Sequence, residues 1–320
     1  MLSNQKRHFM STTDADGLVW HYTDAGGLLG IIQGKQLWAT HFQFMNDTLE
    51  GALMADPLDK FIADDDVLNS YEREMVKIMN QQYEGISRLK ITRVPDGNHF
   101  LLCGSEKGDE LTLWRNYAQG SVSFAIGLDP KCPLGVIPPR NSLTSSGRVQ
   151  PWNKVDYREQ DSELPDEYAA RIRSAAQNTD KGDQIGDLSA ALQYMYSQVK
   201  SSAFKDERET RVVCQTDNPD MWRFRAGQYG ITPYVALGTA NAWGENSPGD
   251  EPLPIRAIRL SANATPPDHL ALNALLESHG FGGDAEIEEF MDHSGSIVDT
   301  YAREYEPPVQ LIQATNSLRN

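Results

Sequence analysis

Apolar positions along the chain fall in short runs whose period switches between two and about 3.6, the signatures of strands and helices. Residues 18–22 read as a strand, and residues 26–33 as a short helix with Leu28, Leu29, Ile31 and Ile32 at buried positions. Gly34 is placed to end that helix, because glycine takes the left-handed backbone conformation without a Cβ penalty. A second strand is expected over 37–40, and helices over 47–61 and 67–83. Strand-like runs at 100–103 and 122–128 flank a helical segment at 111–117, and the proline, glycine and serine content of 131–148 marks it as mostly loop. Helices follow at 168–175 and 188–204, strands at 210–215, 231–237 and 255–260, and a last helix at 270–278 stopped by Gly280.

Strands and helices mix without a regular βαβ alternation, which predicts an α+β fold: a mixed, mainly antiparallel sheet core with flanking helices. No repeat or sharp compositional break divides the chain. Residues 1–15 read as a flexible tail, and 16–320 as a single domain with a C-terminal extension after about residue 260. An apolar fraction of 39% with 23% charged residues fits a globular chain and excludes a disordered one. The longest apolar runs, at 28–32 and 122–128, are far too short to cross a bilayer, and the polar N-terminus lacks a secretory stretch. Three cysteines, Cys103, Cys132 and Cys214, have neither metal-type nor disulfide-framework spacing, which points to a reducing, cytoplasmic setting. A net charge of -16 disfavours non-specific binding to nucleic acid or anionic membranes, while leaving room for a local cationic pocket built from Arg208, Arg211, Arg223 and Arg225.

Five segments carry candidate chemistry, each with a structural alternative. His21 and Thr23, at the end of the first strand, have side chains able to donate to a ribose hydroxyl, and Tyr22 or Trp38 to stack on a flat ring; equally, His21 is a hydrogen-bonded structural residue and Trp38 core. Asp47 and Glu50 match a capping box, which leaves Asn46 as the ligand contact of that segment. Trp114 and Tyr117 share a helix face and either pack on the following strand or wall a pocket. In a strand, Glu207, Glu209 and Arg211 project to one side, so the two carboxylates repel unless one is protonated or bridged by Arg211; the alternative is an exposed charged face. Residues 222–230 interleave Arg223 and Arg225 with aromatics and glycines, including Tyr229, as a phosphate or base site does, or as a surface loop covering the core.

In this order the segments resemble an uncharacterised bacterial domain family of unknown function. Its pattern runs HYT, LWxT, ND with a following acid, WxxY, ExExR and an arginine-rich loop before a PY-containing strand. The match extends to about residue 260. A more distant likeness is to the ADP-ribosyltransferases. His21-x-Thr23 ahead of a short helix looks like the opening of that fold, and Glu207-x-Glu209 like its paired-glutamate motif. The chain departs from that pattern in having no clear serine-threonine-serine strand and no unambiguous second-motif tyrosine, and Lys35-Gln36 stand between Gly34 and Leu37.

The resemblance implies an ADP-ribosyltransferase-like fold that consumes NAD as an ADP-ribosyltransferase or NAD glycohydrolase, with Glu209 the catalytic glutamate and Glu207 its partner. His21, Tyr22, Thr23, Thr40, Asn46, Arg223 and Tyr229 would contact the dinucleotide, no metal would take part, and the acceptor would be an unidentified macromolecule. Such an enzyme would serve as a toxin, an effector or a phage-defence factor. Two other readings stand beside it. One is a non-catalytic module sensing a nucleotide or partner. The other is a metal-dependent hydrolase or nuclease using Glu207, Glu209, Asp47 and Glu50.

Overall fold

In the computed structural model, strand β1 (Val19–Thr23) leads into helix α1 (Ala25–Gly34) and strand β2 (Leu37–His41). The described residues are 17–45, 53–88, 99–117, 122–139, 147–159, 162–178, 181–216, 218–227, 230–240, 252–281, 287–291, 297–302 and 309–314. Helices α2 (Ala55–Asp64) and α3 (Ser70–Arg88) come next, then β3 (His99–Ser105), α4 (Leu111–Tyr117) and β4 (Phe124–Leu128). Short strands β5 (Leu134–Val136), β6 (Arg148–Val149), β7 (Asn153–Lys154) and β8 (Asp156–Arg158) precede helices α5 (Asp166–Ala176) and α6 (Lys181–Gln198). Strand β9 (Val199–Ser201), a 3-10 turn (Ser202–Glu207), β10 (Glu209–Gln215), β11 (Trp222–Gly227), β12 (Gly230–Thr239) and β13 (Ile255–Leu260) follow. Helix α7 (Pro266–Ser278) and strands β14 (Ile287–Met291), β15 (Ile297–Ala302) and β16 (Gln310–Gln313) are the last elements among the described residues. The fold is α+β with a mixed, mainly antiparallel sheet, as the pattern predicts. Among the described residues no helix is long and apolar enough to cross a membrane.

The chain divides into two compact units, each assembled from separated segments. The first comprises residues up to Lys35, Lys107–Asp129 and the chain from Pro254 onward. Its strands run in the order β1-β4-β13-β16; β4 is antiparallel to both neighbours, and β16 is parallel to β13. The period-two alternation of β1 sends Trp20 and Tyr22 to a core shared with Leu113, Trp114, Ala125 and Ala257. Gly127 and Gly108 make room for the Trp20 indole, since a Cβ at either would lie 3.2 Å or less from its ring.

The second unit comprises Gln36–Glu106 and Pro130–Leu253. Its sheet runs β11-β12-β2-β3-β10 with every neighbour antiparallel; β5 pairs with β12, and β6 and β7 pair with β10. Helices α2, α3, α5 and α6 bury a second core, including Leu58, Val76, Ile172, Leu188 and Leu192. Beside them, β8 and β9 form a two-stranded parallel ribbon in which Tyr157 is opposite Lys200.

Several local expectations change. The left-handed residue after α1 is Lys35, at φ 47° and ψ 42°, because the helix includes Gly34 and the Lys35 N–H closes on the Ile31 and Ile32 carbonyls. The helix expected over 188–204 begins at Lys181 and stops at Gln198, where β-branched Val199 enters the ribbon with β8. The Ser201 hydroxyl then caps the following 3-10 turn by accepting from the Ala203 N–H. Residues 222–227, expected as a loop, form β11, because β12 offers a full antiparallel partner from Trp222 to Gly227. The stretch 131–148 contains strand β5. Of the helix expected over 47–61, the described part starts α2 at Ala55; Asn46, Asp47 and Glu50 lie outside the described residues.

Candidate functional site

Glu207 and Glu209 do share a site, though not by strand alternation. Glu207 closes the 3-10 turn, Arg208 adopts a left-handed conformation at φ 44° and ψ 49°, and Glu209 opens β10. A left-handed non-glycine residue costs on the order of 1 kcal/mol and persists where its surroundings over-determine it. Here the Arg208 N–H donates to the Lys205 carbonyl, its carbonyl accepts from the Glu106 N–H, and the Ser105 hydroxyl donates to the Glu207 carbonyl at 2.6 Å. This corner turns both carboxylates onto one cation. Lys200, from β9, donates to Glu207 at 2.8 Å and to Glu209 at 2.7 Å.

Arg211, two residues along β10, completes the cluster. Its Nε donates to Glu209 Oε1 at 2.7 Å, its Nη2 to Oε2 at 3.1 Å, and its Nη1 to the Ser197 carbonyl at 2.8 Å. Two carboxylates therefore face two cations with formal charges cancelling, and all four side chains are buried, Glu209 at 7% exposure. Desolvation pushes the Glu209 carboxyl up, but the Arg211 guanidinium and the Lys200 ammonium outweigh it and pull the carboxyl down to about 2. Glu209 is thus anionic across the physiological range. Its backbone N–H donates to the Tyr157 hydroxyl at 2.7 Å, and burial, offset in part by that bond, raises the Tyr157 hydroxyl above its ordinary value.

His21, Tyr22 and Thr23 belong to the first unit, and Glu207 and Glu209 to the second. His21 is half-buried opposite Ile126, on the side of β1 away from the Trp20 and Tyr22 core. Thr23 projects to that same side and packs on the first turn of α1. A Cβ at Gly27 would lie 1.9 Å from Thr23 Oγ1, so any larger residue there forces the Thr23 side chain aside, while Asp24 caps the helix by accepting from the Gly27 N–H at 2.7 Å. Tyr22 is committed to the interior. Its hydroxyl donates to the Lys107 carbonyl at 2.8 Å and accepts from the Glu110 N–H at 3.0 Å, and its ring meets Trp114 edge-on. Trp114 is buried core with its indole N–H on Asp109, whereas Tyr117 is exposed.

The remaining sequence candidates divide between the hairpin β11–β12 and residues without a described position. Arg223 donates to the Gln36 side chain at 2.6 Å and to the Ile137 carbonyl at 3.2 Å. Thr40 accepts from Arg225 at 3.1 Å, and the Arg225 guanidinium lies 5.2 Å from the Trp38 ring centre. These arginines hold one edge of the second sheet together. Asn46 and Tyr229 lie outside the described residues. No three His, Cys, Asp or Glu side chains converge as a metal-binding group among the described residues.

Sequence reasoning missed Lys200, the cation at the centre of the cluster, and Tyr157. In the chain Lys200 reads as a polar residue inside an expected helix, and only the switch to β9 aims it at the glutamates. No family model, curated protein or solved structure matches the chain.

Proposed function

We propose that the protein is an NAD-consuming ADP-ribosyltransferase with an ADP-ribosyltransferase-like fold, Glu209 being the catalytic carboxylate and Glu207 the residue that positions the acceptor. One observation carries this reading: Glu209 is held anionic at the start of a strand, beside a second glutamate two residues earlier and on a shared lysine. Breaking the bond between nicotinamide and ribose sends the bonding electron pair to nicotinamide and leaves positive charge on the ribose. A carboxylate fixed beside that carbon stabilises the charge where it develops. The acceptor, or water, then bonds to the ribose carbon and gives up its proton.

Both Glu209 oxygens are engaged, so substrate gains access by displacing one of the two cations. Lys200 is the one able to yield, because it keeps Glu207 as a partner when it releases Glu209. The test is release of nicotinamide from NAD by the full chain, with a cell extract as the source of acceptors. Wild type is expected to consume NAD and Glu209→Gln to leave it intact; intact NAD after prolonged incubation with wild type overturns the reading.

The complete pairing of the two glutamates favours a second reading, a non-catalytic module that senses a nucleotide or a partner, in which the cluster only fixes the β9–β10 corner. It predicts that NAD raises the melting temperature of wild type with no nicotinamide released.

A further inference from the structure

A cavity of about 360 Å³ opens in the second unit on the β8–β9 ribbon and helices α5 and α6. It is separate from the glutamate cluster. Alternation along β8 sends Tyr157 to Glu209 and its neighbours Asp156 and Arg158 to the cavity. The volume lies within the range of small-molecule sites, roughly 300–1,000 Å³.

The charges around this cavity cancel. Asp156 and Glu167 stand against Lys154 and Arg158 in its wall. Arg158 is held by Asp156 at 2.8 Å, Glu167 by Arg171 at 3.3 Å, and Lys154 by Glu106 at 2.5 Å. With two acids against two bases the wall carries no net charge to draw an ion, so the cavity suits an uncharged occupant. Tyr194 supplies an aromatic wall, and the Arg171 guanidinium lies 4.4 Å from its ring centre.

Among the described residues lining this cavity, Gln198 has buried polar atoms without a structural explanation. It is the last residue of α6, lines the cavity and is 2% exposed, yet neither its side-chain nitrogen nor its oxygen has a hydrogen-bond partner among the described residues. A buried carboxamide with both ends unmet is rare, because each end has given up water for nothing. Nearby polar chains follow the rule. Gln193 donates to Ser189 and accepts from Gln215, and Tyr196 is bonded to Asn80. A carboxamide presents a donor and an acceptor side by side in one plane.

We propose that this cavity binds a small uncharged planar molecule whose edge carries a donor next to an acceptor, the edge shared by nucleobases and primary carboxamides. Gln198 supplies the complementary pair of hydrogen bonds, and Tyr194 packs on the ligand ring. Recognition by a buried polar pair is selective, because a ligand lacking either group leaves one end of Gln198 unmet.

The test is calorimetric titration of the full chain with adenosine, uridine and nicotinamide. At least one is expected to bind, and which one binds separates a base from a carboxamide. Gln198→Leu, which keeps the side chain's approximate volume and removes both polar atoms, is expected to weaken that binding by about tenfold or more. Its melting temperature is expected to be no lower than that of wild type, since an unmet polar group has been removed. Should that variant fail to fold, Tyr194→Leu removes the aromatic wall and is expected to weaken the same ligand. Absence of binding for all three probes at millimolar concentration overturns the proposal, as does wild-type affinity in a folded Gln198→Leu or Tyr194→Leu variant. Loss of binding in Gln198→Leu, which leaves Glu209 untouched, separates this cavity from a nicotinamide or adenosine site at Glu209, so the failure of one reading is distinguishable from the failure of the other.

Discussion

Arg211 grips the Glu209 carboxylate at two points, Nε to Oε1 at 2.7 Å and Nη2 to Oε2 at 3.1 Å, with both side chains buried. A paired, planar contact of this kind fixes orientation as well as charge. It makes Glu209 part of the folded framework whatever else it does, and that changes what its substitution measures.

Glu209→Gln leaves Glu207 alone against Lys200 and Arg211, an uncompensated buried charge. The expected loss of stability is about 3 kcal/mol, within the range for breaking one partner of a buried pair. Urea unfolding followed by circular dichroism measures it. Removing the second charge, in Glu209→Gln/Arg211→Gln, is expected to cost clearly less than the sum of the two single changes. Strict additivity would show that the two residues do not interact.

Acid stability should report the same carboxylate. The Glu209 carboxyl is lowered from 4.5 to about 2 in the folded chain, so its contribution is complete above pH 4.5 and is lost as pH falls from 4.5 towards 2. The amount is on the order of 3 kcal/mol. Wild type is therefore expected to lose stability across that window more steeply than Glu209→Gln. Parallel curves for the two proteins below pH 4.5 would contradict the assignment.

Tyr22 tests whether the HYT motif is wholly a ligand site. Its hydroxyl bridges the Lys107 carbonyl and the Glu110 N–H inside the first unit. Tyr22→Phe keeps the ring against Trp114 and strands both backbone groups, with an expected cost of about 1–2 kcal/mol in unfolding free energy. A ligand-stacking role without a structural one predicts unchanged stability.

Gly27 should resist substitution for one stated reason. The alanine Cβ would meet Thr23 Oγ1 at 1.9 Å, so Gly27→Ala is expected to destabilise by about 1–3 kcal/mol even though alanine favours helices. Thr23→Ser leaves the hydroxyl, whereas Thr23→Ala removes it. Rescue of Gly27→Ala by Thr23→Ala, but not by Thr23→Ser, is the outcome that identifies the contact in thermal melts.

Most of the α+β content is visible in the sequence because β1, β10, β12 and β13 are apolar or alternating runs, and α1 and α4 have a local helical period. Local pattern failed where a distant partner chose the conformation. Val199, Lys200 and Ser201 continue a helical pattern, yet β8, more than 40 residues earlier, draws them into a strand. Residues 222–227 carry the arginines and glycine of a loop, yet β12 pairs them along their whole length.

The candidate site divides in the same way. The sequence alone determined that Glu207, Glu209 and Arg211 stand close together, because two-residue spacing requires it, and that their repulsion needs an answer. Tertiary structure decided what the answer is: a lysine from another strand, a left-handed Arg208 that aims both acids at it, and burial deep enough for those contacts to set the charge. It also decided that Gln198 lines a cavity with its carboxamide unmet. Neither is legible locally, since electrostatic and hydrogen-bond partners are set by which segments pack together, and burial is a property of the whole fold.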